Sequence, residues 1–369
     1  MDNVTHSLFA ITLARTPLRC AGRGTTAALI LASNIPDIDI VTTTRGAGNY
    51  LTWHRGPTHG PLGILGLGIV AAGLVWLGRR LVDAQHAQSD ESPENATFLM
   101  LTVVAVIGAL LHVLMDLPTS YGTRLLSPFN WHWFTTDWMP IVDVYLLVAL
   151  AAGLAFGRGS PEATRRNAAI VLALMAANYG VRAVAHHEAI VRAPRVFGPL
   201  LPQRCEPSAI DTHVVDSWPR MASPPMPEQG HRCLVDLIAL PTFFSPFSWR
   251  VIAHLSNAYE IHDINLLDPR LRQIDGTAPM WRTTMHVPNV WNPAVVMAVS
   301  APLAQRFLGF SRLPVVGLSA DSGGLMVRLT DVRFIGPITF DPTGPRYGLF
   351  TVFVRLSSDG RFLNEQLRP

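Results

Sequence analysis

Residues 97–117, TFLMLTVVAVIGALLHVLMDL, form an apolar run of membrane-spanning length that closes on an imidazole and a carboxylate, His112 and Asp116. About 20 helical residues at a rise of about 1.5 Å each cross the roughly 30 Å hydrocarbon layer. His112 and Asp116 are four residues apart, so a helix puts both on one face, and Pro118 ends it just beyond them. An ionisable group at the bilayer centre costs about 2.5–3.5 kcal/mol, and such groups in apolar segments usually mark function.

Working outward, three further stretches approach spanning length: 61–78 (PLGILGLGIVAAGLVWLG), 138–157 (WMPIVDVYLLVALAAGLAFG) and 167–185 (NAAIVLALMAANYGVRAVA). Two shorter apolar pieces, 5–15 and 25–38, flank a turn at Arg19 and Arg23 and read as a partly inserted helical hairpin. The expectation is a mostly α membrane domain, a polytopic helical bundle of about four to six spans, over residues 1–186. A C-terminal α+β domain, 187–369, is expected on the same side as the site. Its candidate strands are 233–240, 248–255, 258–267, 324–335 and 347–356, with one helix near 294–309 and a Pro-rich linker at 217–228.

Charge and motif content exclude several classes. The net charge of +3 rests on scattered arginines, with no lysine, which leaves a nucleic-acid footprint unsupported. No P-loop, G-x-G-x-x-G or G-x-S-x-G motif is present, which argues against an NTPase, a dinucleotide enzyme or a serine hydrolase. Cys20, Cys205 and Cys233 lack C-x-x-C spacing, so neither a zinc ribbon nor a redox pair is expected; Cys205 and Cys233 can pair if exported. No basic leader precedes the first motif, and the chain is expected to be retained as synthesised. Arg15, Arg19, Arg23, Arg79, Arg80, Arg158, Arg165 and Arg166 fall on one set of connections, which the positive-inside rule makes cytoplasmic. The acid and imidazole groups then lie on the opposite, periplasmic side.

Those groups recur in a pattern: Asp2 and His6, Asp37 and Asp39, His54 and His59, His112 and Asp116, then Asp137 and Asp143. Imidazoles and carboxylates ligate divalent ions. The turn HRGPTH, 54–59, can fold both its histidines toward one point, and carboxylates at a helix C-terminus oppose the macrodipole unless a cation balances them. The expected metal ligands are His6, Asp37, Asp39, His54, His59, His112 and Asp116. Zinc suits the histidine-rich set, and the carboxylates leave manganese open. Asp37 and Asp39, with Arg55 and Arg124 as binders of an anionic group, are the catalytic candidates.

The ordered set MDxxTH (1–6), NxPDxD (34–39), HRGPTH (54–59) and HxxMDLPTSYGTRLLSPF (112–129) resembles the YdjM-like family of bacterial inner-membrane proteins, over residues 1–145. SPFSWR (245–250) and FLGFSRLP (307–314) are similar to its longer members. The resemblance implies a metal-dependent hydrolase. The order His, Asp, His, H-x-x-x-D is also similar to zinc-dependent phospholipase C and related single-strand nucleases. That second likeness implies phosphoester hydrolysis through a metal-activated water, the membrane setting favouring a lipid or lipid-linked substrate, with a protein partner able to use the C-terminal domain. The alternative is a non-catalytic membrane scaffold or a metal- or proton-coupled transporter. A transporter places ionisable groups at broken helices near mid-membrane, whereas these sit at helix ends.

Overall fold

The structure, a computed structural model, describes residues 1–85, 96–156, 160–198, 201–205, 214–219, 232–271, 284–289, 291–321, 323–335 and 349–368. Most of the 217–228 linker lies outside them. The chain forms two compact units, Met1–Val41 with Trp53–Ala183, and Thr42–Thr52 with Val184–Pro369.

The helices of the N-terminal region are α1 (Asn3–Leu13), α2 (Thr25–Ala32), α3 (Ala47–Trp53), α4 (Pro61–Gln85), α5 (Phe98–Asp116), α6 (Val144–Ala155) and α7 (Pro161–Phe197). Three helices among the described residues, α4, α5 and α7, are long and apolar enough to cross a membrane; α6, at 12 residues, is apolar but shorter. The faces they leave exposed are apolar, as lipid contact requires: Leu62, Leu65 and Ile69 on α4, Leu99, Val103 and Leu110 on α5, Ile170 and Leu174 on α7. Their mutual faces use small residues. Ala28 and Ala32 of α2 meet Ala71 and Ala72 of α4 and Ala105 of α5. A Cβ on Gly68 would lie 2.9 Å from the Val106 backbone, so α4 and α5 approach closely only because that residue is glycine. In α1, Phe9, Ala10 and Leu13 are buried in one cluster with Leu29, Val104, Leu146 and Val171.

Arginines gather at one end of this bundle. Arg23 pairs with Asp83 at 3.0 Å, Arg79 donates to the Arg23 carbonyl, and Arg15 donates to the carbonyls of Gly153 and Leu154 at 3.2 Å each. The α1–α2 turn and the C-terminal ends of α4 and α6 therefore lie together, opposite the end where α5 reaches Asp116.

Two short strands, β1 (Trp133–Thr135) and β2 (Asp216–Trp218), precede the sheets of the second unit. The first sheet is an antiparallel meander of β3 (Leu234–Pro241), β4 (Ser248–Leu255), β5 (Ala258–Asn265) and β6 (Met285–Pro288). Ala185, Ala189, Ala193 and Phe197 of α7 pack on it against Trp249, Val251 and Ala253. The second sheet, again antiparallel, runs β10 (Phe362–Arg368), β9 (Thr351–Leu356), β8 (Gly324–Asp331), β7 (Pro314–Asp321). Ile238, Ile252 and Ile261 join Leu313, Val315 and Val332 in a shared core.

The single helix expected near 294–309 is two, α8 (Pro293–Ala298) and α9 (Pro302–Phe310). Pro302 has no N–H to give to the preceding turn and starts a new helix instead. The strand expected to run through 335 stops at Asp331, whose carboxylate accepts the Arg333 N–H at 2.9 Å and turns the chain into a short 3-10 helix. Cys205 and Cys233 form a disulfide.

Candidate metal centre

Four side chains converge at the end of the bundle away from the arginines. Asp37 comes from the 3-10 segment Ile35–Arg45 that follows α2, His59 from the turn before α4, and His112 and Asp116 from the last turns of α5. One ligand atom from each lies within 4.8 Å of all the others. His59 Nε2 is 3.2 Å from His112 Nε2, 3.5 Å from Asp37 Oδ1 and 3.5 Å from Asp116 Oδ2. His112 Nε2 is 3.6 Å from Asp37 Oδ1 and 3.4 Å from Asp116 Oδ2.

Hydrogen bonds to the other ring nitrogens fix what these atoms offer. His112 Nδ1 lies 2.8 Å from the Ser33 carbonyl, which can only accept, so Nδ1 carries the proton and Nε2 a lone pair. The Thr58 hydroxyl donates to Asp39 Oδ2 at 3.2 Å and is left to accept from His59 Nδ1 at 3.0 Å, which again turns a lone pair inward at Nε2. Burial lowers the His59 pKa to about 4, so the ring is neutral near pH 7. Two imidazole lone pairs and two carboxylate oxygens thus face one another, and Asp116 Oδ2, fully buried, makes no hydrogen bond, with only the Arg55 guanidinium beside it as a cation. The corners of a tetrahedron around an ion with bonds of about 2.0–2.1 Å are about 3.3 Å apart, and the donor set is one that zinc takes. Five of the six separations among the four atoms, 3.2–3.6 Å, match that spacing, and the residues fit a divalent ion. Asp37 keeps a 20 % exposed side chain, which opens the cluster to solvent on its side.

The remaining expected residues surround this cluster. Asp39 turns away from the four, with Oδ1 3.0 Å from His54 Nδ1 and Oδ2 accepting the Arg55 N–H at 2.6 Å. His54 is thereby engaged with Asp39, outside the group of four. The divergence of the two histidines of HRGPTH follows from Arg55, which takes a left-handed backbone with φ of 48°. The Arg55 guanidinium is spent on structure: Nη2 lies 3.2 Å from Asp116 Oδ2, while Nη1 donates to the Gly122 carbonyl at 2.9 Å and the Thr119 hydroxyl at 3.3 Å. Arg124 is buried with its guanidinium 4.5 Å from the Trp133 ring centre and 5.3 Å from that of Trp131; burial lowers its pKa to about 10, so it keeps its charge. A Cβ on Gly60 would lie 1.7 Å from the Ser127 carbonyl oxygen, so the turn before α4 docks on the loop after α5 only with glycine there.

Asp2 caps α1, accepting from the N–H groups of Val4 and Thr5 and from the Thr5 hydroxyl. That cap holds His6 beside the cluster, stacked on His112 at 4.0 Å. Of the last pair in the recurring pattern, Asp143 caps α6 and pairs with buried Arg182 at 2.5 Å, and Asp137 Oδ1 accepts from the Thr135 hydroxyl at 3.3 Å. Sequence reasoning missed Ser33 and Thr58, which orient the two imidazoles. Only Thr58 left a signal, as the hydroxyl between Pro57 and His59 in the same motif.

Comparison with known proteins bears on the same region. A family model described as YdjM inner membrane protein matches residues 1–189, just over half of the chain. The protein belongs to that family. YdjM membership and the apolar helices make it a bacterial inner-membrane protein, with the four-residue cluster inside the matched region. It is 26% identical over 147 residues to the Uncharacterized protein YfhP of Bacillus subtilis (strain 168), a match covering 39% of this chain and 41% of that protein. This chain thus matches well under two thirds of that relative's length. No solved structure matches.

Proposed function

We propose that this YdjM-family protein is a membrane-bound, metal-dependent hydrolase, a phosphoesterase acting on a lipid or lipid-linked substrate. The observation that carries the reading is the convergence of four lone-pair atoms from Asp37, His59, His112 and Asp116 within 4.8 Å of one another. Those four would hold the ion, zinc before manganese on the chemistry of the donors. When bound, it would supply Lewis-acid activation of a water and neutralise charge on a phosphoryl oxygen. The chain's own contribution is orientation: Ser33 and Thr58 fix the imidazole tautomers, Asp39 ties the 54–59 turn to the Ile35–Arg45 segment, and Arg55 steadies Asp116. Arg124 keeps a permanent charge for an anionic headgroup.

A lipid substrate is supported by depth. His59 lies two residues before α4 and Asp116 ends α5, so the centre sits where the apolar spans stop, at the level of headgroups. We further propose that α6 is a fourth crossing, since its end reaches Arg15 at the arginine end. The arginine end is then cytoplasmic, and the metal centre and residue 369 are periplasmic; a disulfide at Cys205–Cys233 is at home in that oxidising compartment. A reporter fused after Pro369 tests this, activity of a cytoplasmic reporter alone overturning it.

The function itself is tested by elemental analysis of the detergent-purified protein, followed by a panel of phosphodiester and phosphomonoester substrates that includes phospholipid vesicles. Bound zinc or manganese with turnover of a lipid phosphoester is the expected result. Bound metal without turnover of any phosphoester overturns the hydrolase, and no metal after reloading favours the scaffold or transporter.

A further inference from the structure

We infer that the Asp116 carboxylate is a bridge, and that a second divalent cation binds on its Oδ1 side with His6 as a ligand. This rests on reading the four-residue cluster as a metal centre. The two oxygens of Asp116 face different neighbours. Oδ2 points to His59 and His112, at 3.5 and 3.4 Å. Oδ1 points to His6 Nε2, at 3.4 Å, and to the α-amino nitrogen of Met1.

His6 is the independent observation. Its side chain is fully buried and neither ring nitrogen makes a hydrogen bond. A buried polar group without a partner costs about 1–3 kcal/mol, and native structures keep few of them without a reason. The ring has no route to solvent, because the Asp2 cap fixes the first turn of α1 and His112 stacks on its face. Its distance from Asp116 Oδ1 is the spacing of two donors on one ion, as in the first cluster. A carboxylate offering one oxygen to each of two ions is how paired-metal sites about 3.5–4 Å apart are built, and such pairs clamp both oxygens of an in-line phosphoryl displacement. Such a pair suits the phosphoester substrate proposed above, with His6 as one of its ligands.

The test counts ions. Full-length protein in detergent is stripped with a chelator, reloaded with zinc chloride and analysed for zinc per chain, alongside His6→Ala. Two ions in the wild type and one in the variant are expected. One ion in both overturns the second site and leaves the first standing, whereas none in either removes the reading of the first cluster as well. Should His6→Ala fail to fold, manganese-loaded wild-type protein gives the same decision by electron paramagnetic resonance. A spin-coupled pair signal supports the bridge, and isolated manganese at saturation overturns it.

Discussion

Asp116 and Asp331 are both fully buried carboxylates, one in each unit, and they are satisfied in opposite ways. Asp331 is closed. Its oxygens accept from the Ser311 hydroxyl at 2.7 Å, the Arg312 N–H at 2.9 Å, and the Arg333 backbone and guanidinium at 2.8–3.1 Å. Arg333 is in turn held 4.9 Å from the Trp218 ring centre and 5.1 Å from that of Phe334. Asp116 has the Met1 ammonium on Oδ1 and the Arg55 guanidinium beside Oδ2, and Oδ2 otherwise faces the imidazole lone pairs of His59 and His112 without a hydrogen bond. Burial alone therefore does not mark a functional carboxylate. What marks one is a shortage of donors, because a chain that needs the charge only for its fold supplies the partners itself.

The largest expected effect breaks the pair at Asp116. Asp116→Ala should abolish bound metal and reduce phosphoesterase turnover by about 100-fold or more, while expression and membrane insertion persist. Unchanged metal content would refute the contrast. Asp331→Ala should do the reverse, leaving metal content alone and destabilising the second unit by about 3–5 kcal/mol, because Arg333 stays buried without its carboxylate. Denaturant midpoints read from hydrogen exchange in β8 would check it.

The same carboxylate sets an acid response. Burial alone would raise the Asp331 pKa, but the charge and hydrogen bonds of Arg333, with Ser311, outweigh it and hold the group below the ordinary carboxylate value. A lowered folded pKa contributes stability that is present above the unfolded value, about 3.9, and is lost as pH falls through the folded one. Denaturant midpoints of the second unit should be insensitive to this group between pH 7 and 5 and fall below about pH 4. Asp331→Asn should remove that fall.

Asp39 is the intermediate case, joined to His54, Arg55 and Thr58 and only 3.7 Å from His59 Nδ1. Outer-shell partners of ligating histidines are typically worth 10–100-fold in metal affinity. Asp39→Asn should weaken zinc binding by about that factor without removing it, measured by competition with a chromophoric chelator. Complete loss of metal would make Asp39 a ligand and enlarge the cluster.

How far this difference was legible in the sequence depends on what carries it. His112 and Asp116 were readable because a helix fixes their relation, and the apolar run made the helix plain. The HRGPTH motif put both His54 and His59 in view but not their divergence, which depends on one positive φ at Arg55 that spacing does not encode. Ser33 left no trace, since it contributes a backbone carbonyl. In the second unit, β4 and β5 showed in their alternation, whereas β10 has mostly exposed side chains and offers no apolar period to read. The role of FLGFSRLP emerged only with its partner: Ser311 and Arg312 exist to close Asp331, which lies 20 residues beyond Ser311.

The smallest effect is expected from a charge pair that is neither closed nor open to an ion. Arg23 and Asp83 meet at 3.0 Å with side chains 43% and 36% exposed, so water already solvates both. Exposed pairs contribute about 0–1 kcal/mol, and Asp83→Asn should change the thermal midpoint of the detergent-solubilised protein hardly at all. The substitution also leaves every arginine at that end in place, so membrane orientation should be unchanged by a reporter after Pro369. A destabilisation comparable with that of Asp331→Ala would mean that the number of charges removed, and not the supply of donors around them, governs this molecule. The distinction between Asp116 and Asp331 would then lose its physical basis.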